Sequence, residues 1–272
     1  MNAAALSVAS AVTVLVTAVA APACSNSGPT TASSSGSTPL QGRELVVFAA
    51  SSLTDAFDEL GAAFEQAHPG VIVTFNLGPS DGLARQIQSE GTADVFASAS
   101  PAWMDVVQRD PGVADRVDFA RNRLLLVTPP DDPANIASLR DLTNDGVQLI
   151  LAADGVPVGS YAREVLENAG LLEAALPNVV SNEDDAASLV QKIVAGEADA
   201  AIVYRSDVSG DAENDLRAIE IPNDVNVVAQ YPIAIVEGSD EDDLAAEFID
   251  AVTGPLGRAT LERFGFEPAA KR

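Results

Sequence analysis

Residues 45–64 read LVVFAASSLTDAFDELGAAF, and the change of period inside this stretch decides the fold class. The apolar run from Leu45 to Ala50 has the texture of a strand covered on both faces. Leu53, Phe57, Leu60 and Phe64 then recur at steps of three and four, which places them on one face of a helix. His68, Pro69 and Gly70 stop that helix. The two serines, Ser51 and Ser52, sit at the junction of the two periods.

The same strand-then-helix alternation runs through the rest of the chain. Residues 71–76, 95–98, 123–127, 147–152, 200–204 and 232–236 read as strands, and 82–90, 102–109, 159–169, 185–195 and 241–264 as helical segments. This is an α/β protein with largely parallel sheets. Pro129, Pro130 and Pro133, with Asp131 and Asp132 between them, break the pattern near the middle, and residues 221–230 break it again. Two breaks predict two lobes joined by two crossings, with 43–125 and 231–272 in lobe I and 126–230 in lobe II.

Ahead of the first strand the texture differs. The first 42 residues carry no charged side chain, and the apolar run from Ala3 to Ala21 reads as an export signal over residues 1–23. Residues 24–42 are mostly Ser, Thr, Gly and Pro and read as a flexible tether. A small-residue site ending at Cys24, the chain's one cysteine, resembles a bacterial lipobox and marks Cys24 as a lipidation site. An ordinary cleaved signal and a retained anchor are the alternatives.

Net charge removes several function classes. With 15 Lys plus Arg against 40 Asp plus Glu, the formal charge of −25 repels nucleic acid and anionic bilayers. One Cys and one His exclude an internal disulfide and a Cys/His zinc site. No Walker-type phosphate loop and no nucleophile elbow is present. His68 reads as a helix C-terminal cap, the acidic residues 183–185 and 240–243 as helix starts, and Trp103 with Val106 and Val107 as a buried helix face.

What remains are hydroxyls at strand-to-helix junctions: Ser51 and Ser52 before the first helix, and Ser80 with Asp81 and Gly82 at the second. Open α/β sheets bind ligands at such carboxyl-end junctions, where helix N-termini offer unpaired N–H groups to an anion without any Lys or Arg. Taken junction by junction, routine N-capping by serine is the better account of the same residues.

Six motifs in order make the pattern recognisable: VFAASSLTDAF at 47–57, GLARQI at 82–87, ADVFASASPAWM at 93–104, VPVGSY at 156–161, AIVYRSD at 201–207 and YPIAIVEG at 231–238. Together they resemble the periplasmic molybdate-binding proteins, the solute-binding components of molybdate ABC transporters. The resemblance implies a two-lobed class II periplasmic-binding-protein fold with mixed, mainly parallel sheets and a ligand cleft between the lobes. It implies that molybdate or tungstate is held by neutral donors only: the Ser52 and Ser80 hydroxyls, the Val158 and Ala186 backbone amides and the Tyr204 hydroxyl. It implies no catalysis, no cofactor and no directly coordinated metal, molybdenum being bound as molybdate. The partners expected are the oxyanion and a membrane permease, the chain being a monomer, exported and either lipid-anchored at the cell membrane or periplasmic. Asp81 must then face away from the cleft, because a carboxylate there would repel a dianion. A receptor for sulfate or another tetrahedral oxyanion is the second reading, and a two-lobed enzyme the third; the latter lacks a paired His, Cys or Lys.

Overall fold

The computed structural model describes residues 42–209 and 214–269. The leader, the tether and Cys24 lie outside the described residues. Among those described, no helix is long and apolar enough to cross a membrane.

In chain order the elements are β1 (Arg43–Ala50), α1 (Thr54–Ala67), β2 (Val71–Gly78), α2 (Ser80–Glu90), β3 (Val95–Ala97), α3 (Pro101–Arg109), β4 (Val113–Thr128), β5 (Leu149–Ala152), α4 (Pro157–Asn168), α5 (Leu172–Ala175), β6 (Val179–Glu183), α6 (Ala186–Val194), β7 (Ala200–Tyr204), β8 (Arg217–Glu220), β9 (Val228–Val236), α7 (Asp242–Thr253), α8 (Pro255–Arg263) and β10 (Glu267–Pro268). A single 3-10 turn, Ser51–Leu53, leads into α1. The apolar spacing of the first helix is borne out: Phe57, Leu60 and Phe64 are all buried against the sheet.

Strand order is β2-β1-β3-β9-β4-β7-β5-β6, with β8 and β10 added beside β4. Parallel ladders join β1 to β2 and β3, and β5 to β6 and β7. Every antiparallel ladder involves β4 or β9. Parallel pairing thus belongs to the strands flanking each half, and the two long crossing strands make the whole mixed.

β4 is where the halves meet. Its first part, from Val113 to Arg123, pairs with β9, and from Leu124 onward it pairs with β7 and β8. The first crossing therefore runs inside a continuous strand, ahead of the proline-rich turn at 129–133, and β4 extends well beyond the expected 123–127. Residues 113–122 carry Asp115, Arg116 and Asp118 and so lack an apolar run; β9 supplies the pairing that local propensity does not. The second crossing lies between β8 and β9. The helix expected over 241–264 is two helices, since Gly254 and Pro255 end α7 and start α8; proline at a first helical position has no N–H to lose.

Aromatic rings link the cores through the crossings. Phe57 meets Phe119 at 6.0 Å, Phe119 meets Tyr231 edge-on at 6.4 Å, and Tyr231 meets Tyr204 at 5.9 Å and Phe266 at 5.3 Å. Each buried ring of this size contributes roughly 1.5–3 kcal/mol from area alone, and the edge-on geometry fixes orientation as well. Tyr204 is held at the end of this chain of rings.

Candidate functional site

The carboxyl ends of the strands in both halves converge on one small cavity. It is lined by Ala50, Ser51 and Ser52 after β1, Gly78, Pro79 and Ser80 after β2, and Ala99 after β3. From the other half come Val156, Pro157 and Val158 at the start of α4, Asp185 and Ala186 at the start of α6, and Tyr204 at the end of β7. All five residues singled out from the sequence, Ser52, Ser80, Val158, Ala186 and Tyr204, are among them. The cavity is small, about 10 Å³, the scale of a single water-sized group and far below a nucleotide-sized ligand's pocket. Among the described residues, no Lys, Arg or His lines it.

The helix starts here are open. The residues in N-cap position before the Ser51 turn, α2 and α4 are Ala50, Pro79 and Val156, and none makes a side-chain cap. Ser51, Ser52 and Ser80 are inside their turns instead of in front of them, so the capping account of these serines does not hold. Amides of the first turn, which have no partner within the helix, are thereby left to whatever occupies the cavity. At α4 the first helical residue is Pro157, which has no N–H, so Val158 carries the leading amide. Gly159 permits this approach: a Cβ there would lie 2.3 Å from the Ala153 carbonyl oxygen and 2.4 Å from that of Ala152.

Hydroxyls in the two halves are prepared differently. Ser80 is 1% exposed, and its Oγ accepts the Ala99 N–H at 3.0 Å, which leaves its proton to donate elsewhere. Ser52 Oγ lies 2.9 Å from the Tyr231 hydroxyl. Tyr204 is 2% exposed, and its hydroxyl has no hydrogen-bond partner among the described residues. Such an orphan costs about 1–3 kcal/mol of desolvation, a cost that a ligand oxygen would offset. Burial pushes the Tyr204 hydroxyl well above the ordinary tyrosine range, with Tyr231, Tyr161 and Asp207 adding to the effect, so it keeps its proton.

Of the two carboxylates at these helix starts, one stands as the sequence required and the other does not. Asp81 turns to Arg85, one helical turn on, at 2.6 Å, and does not line the cavity. Asp185 does line it, which corrects the expectation of a cleft walled by neutral donors only. Its Oδ1 accepts the Ser188 N–H at 2.8 Å and caps α6, where the positive end of the helix compensates its charge. A third carboxyl, Asp207, accepts the Tyr204 N–H at 2.9 Å just behind the cavity, and burial pushes it up to about 7.

Residues 45–267, nearly the whole described chain, match the family of bacterial extracellular solute-binding proteins. The chain belongs to that family. The molybdate-binding protein ModA of Mycobacterium tuberculosis is 36% identical over 246 residues, covering 90% of this chain and 91% of its own. ModA of Escherichia coli is 32% identical over 237 residues, 82% of this chain and 88% of the relative. Among solved structures, the periplasmic molybdate-binding protein of Azotobacter vinelandii superposes with a TM-score of 0.73, over 83% of this chain and 100% of that one; at 19% identity it shows the shared two-lobed fold. A solute-binding protein holds its ligand for transport without transforming it.

Residue-by-residue reading misses two further residues that hold the surroundings of this cavity together. Trp103 was read as core only, yet its indole N–H donates to the Gly155 carbonyl at 2.9 Å, joining α3 of one half to the loop before α4 of the other. Arg85 lies over its ring at 5.2 Å. Asn122, fully buried in β4, bonds to Ser206 beyond β7 and reaches toward Tyr231. Neither role has a local signal, since each depends on a partner far away in sequence. His68 does cap α1 as expected, with Nδ1 2.8 Å from the Phe64 carbonyl and Nε2 3.0 Å from Glu247.

Proposed function

We propose that this solute-binding protein captures molybdate, and tungstate alongside it, for delivery to the permease of an ABC transporter. Ser52, Ser80 and Tyr204 donate from hydroxyls, and Val158 and Ala186 from backbone amides. One observation carries this reading: open helix starts and a buried tyrosine hydroxyl without a partner among the described residues converge from both halves on one small cavity that no described cationic side chain lines. A set of donors closing on four acceptor oxygens suits a fully ionised tetrahedral oxyanion. The curated relatives named for molybdate support the choice of metal oxyanion. In this reading lobe I comprises 43–125 and 231–272 and lobe II comprises 126–230, the chain acts as a monomer, and Cys24 carries the lipid that holds it at the membrane.

A ligand that binds only the native state must raise its thermal midpoint; at a hundredfold excess over Kd the gain is about 2.7 kcal/mol. Molybdate and tungstate should each raise the midpoint of the soluble form, and sulfate should not. An equal rise with sulfate would replace this reading by that of a general oxyanion receptor. For the anchor, Cys24→Ser should move the protein from the membrane fraction to the soluble one while leaving ligand affinity unchanged.

A further inference from the structure

Tyr231 does not line the cavity, but its hydroxyl is the partner of one that does. It is fully buried on β9 and stands 2.9 Å from Ser52 Oγ. Between two hydroxyls either oxygen can donate, and here a third residue decides. Asn122, also fully buried, accepts the Arg123 N–H at 3.0 Å on its Oδ1. A backbone N–H can only donate, so the amide's orientation is fixed and the atom on the other side is Nδ2, which can only donate in turn. That Nδ2 donates to Ser206 Oγ at 2.8 Å and faces the Tyr231 oxygen at 3.5 Å. The Tyr231 oxygen therefore has a donor on one side, and its single proton is directed to Ser52 Oγ. Ser52 then holds its own proton free for the cavity.

We infer that the Asn122–Tyr231 pair sets the direction of the Ser52 hydroxyl, making Tyr231 a positioning residue that selects oxyanions with no proton of their own. Its hydroxyl stays protonated because burial raises it above the ordinary tyrosine range. A protonated oxyanion that turns its O–H toward Ser52, away from the Asp185 carboxylate, meets a second O–H there, and one buried donor is left without an acceptor. Selectivity for a bare dianion is thus imposed two residues behind the ligand, at the crossing strands β4 and β9. The inference rests on the proposal that Ser52 contacts the ligand.

The test compares molybdate with arsenate, a tetrahedral oxyanion that carries a proton near pH 6.5, by competition calorimetry on the soluble protein and on Tyr231→Phe. Phenylalanine keeps the ring packed against Phe119, Tyr204 and Phe266 and removes only the hydroxyl. Molybdate should weaken by about tenfold, while arsenate, now able to donate to a Ser52 hydroxyl free to turn, should hold or tighten, so that their affinity ratio narrows by about tenfold or more. Asn122→Leu, similar in shape and uncharged, should narrow the ratio in the same direction and decides the matter if the tyrosine variant fails to fold. If arsenate does not displace molybdate from the variants, or both anions weaken by one factor, the inference is overturned. Ser52→Ala separates the two levels: unchanged molybdate affinity there removes Ser52 from the site and this inference with it, whereas a loss at Ser52 with an unmoved ratio at Tyr231 overturns the inference alone.

Discussion

In the proposed reading, the two walls of the cavity do the same chemical work by different means. On the side of β1 and β2 the donors are serine hydroxyls already engaged with the protein, Ser80 through the Ala99 N–H and Ser52 through Tyr231. On the side of β5 and β7 the donors are backbone amides at helix starts and a tyrosine hydroxyl with no partner at all. Each hydroxyl oxygen of the first wall already has a protein partner, and only its proton is free. The second stores an unmet hydrogen bond, and only a ligand relieves it.

The largest expected effect tests that contrast directly. Ser52→Ala, Ser80→Ala and Tyr204→Phe should each weaken molybdate binding by roughly ten- to a hundredfold, the value of one charge-assisted hydrogen bond. Their effects on the unliganded protein should differ in sign. Ser80→Ala strands the buried Ala99 N–H and should cost about 1–3 kcal/mol, whereas Tyr204→Phe removes an orphan hydroxyl and should leave stability unchanged or raise it. Calorimetry and urea unfolding on the same samples give both numbers; a destabilised Tyr204→Phe would mean that the hydroxyl has a partner after all. Val158→Ala keeps its amide and should change affinity by less than about threefold, since only packing is altered.

Asp185 is the exception on the second wall, a carboxylate beside a site for an anion. Asn caps a helix as well as Asp does, so Asp185→Asn should keep α6 and tighten dianion binding by about fivefold, the roughly 1 kcal/mol that a nearby unit charge costs in a water-like medium. Weaker binding in that variant would make Asp185 an acceptor for a protonated ligand and would undo the preference for bare dianions.

Trp103 ties one wall to the other without touching the cavity. Trp103→Phe should cost up to about fivefold in affinity, the worth of one neutral hydrogen bond. Trp103 is the chain's single tryptophan, so its emission in the parent protein should shift on titration with molybdate and reach its end point at the stoichiometry that calorimetry gives.

The smallest expected effect on the ligand is the pH term from Asp207. Its folded value, near 7, is raised above that of an unfolded Asp, so the native state holds a proton that the unfolded chain has already lost. The stability it contributes is fully present below about pH 4 and is lost as pH rises through about 7. Asp207→Asn should therefore match the parent in acid and become progressively more stable than it between about pH 4 and 8, in thermal midpoints measured across that range without ligand.

Much of this was legible before any coordinates. The period change at 45–64 announced the strand-helix unit, and the hydroxyl positions Ser52, Ser80 and Tyr204 could be named because a hydroxyl is a property of the residue type. The length of β4 was not legible, since charged residues at 113–122 become strand only when β9 lies beside them. Nor was the place of Asp185: it was read as a helix start like its acidic neighbours, and while Asp81 turns to Arg85 as a dianion site requires, Asp185 faces the cavity.

The sequence by itself determined the alternation that makes two α/β halves, the hydroxyl inventory of the cleft and the lack of paired nucleophiles or ligating side chains for chemistry. Tertiary structure decided which amides matter and which way the protons point. Every non-proline residue carries an N–H, so Val158 and Ala186, the proposed amide donors, stand out only because helix starts from the second half meet the first half at the cavity, α4 without a side-chain cap and α6 with Asp185 as its cap. A hydroxyl's direction is likewise set by its neighbours, and those of Ser52 are Tyr231 and Asn122, brought to it by strands that cross between the halves.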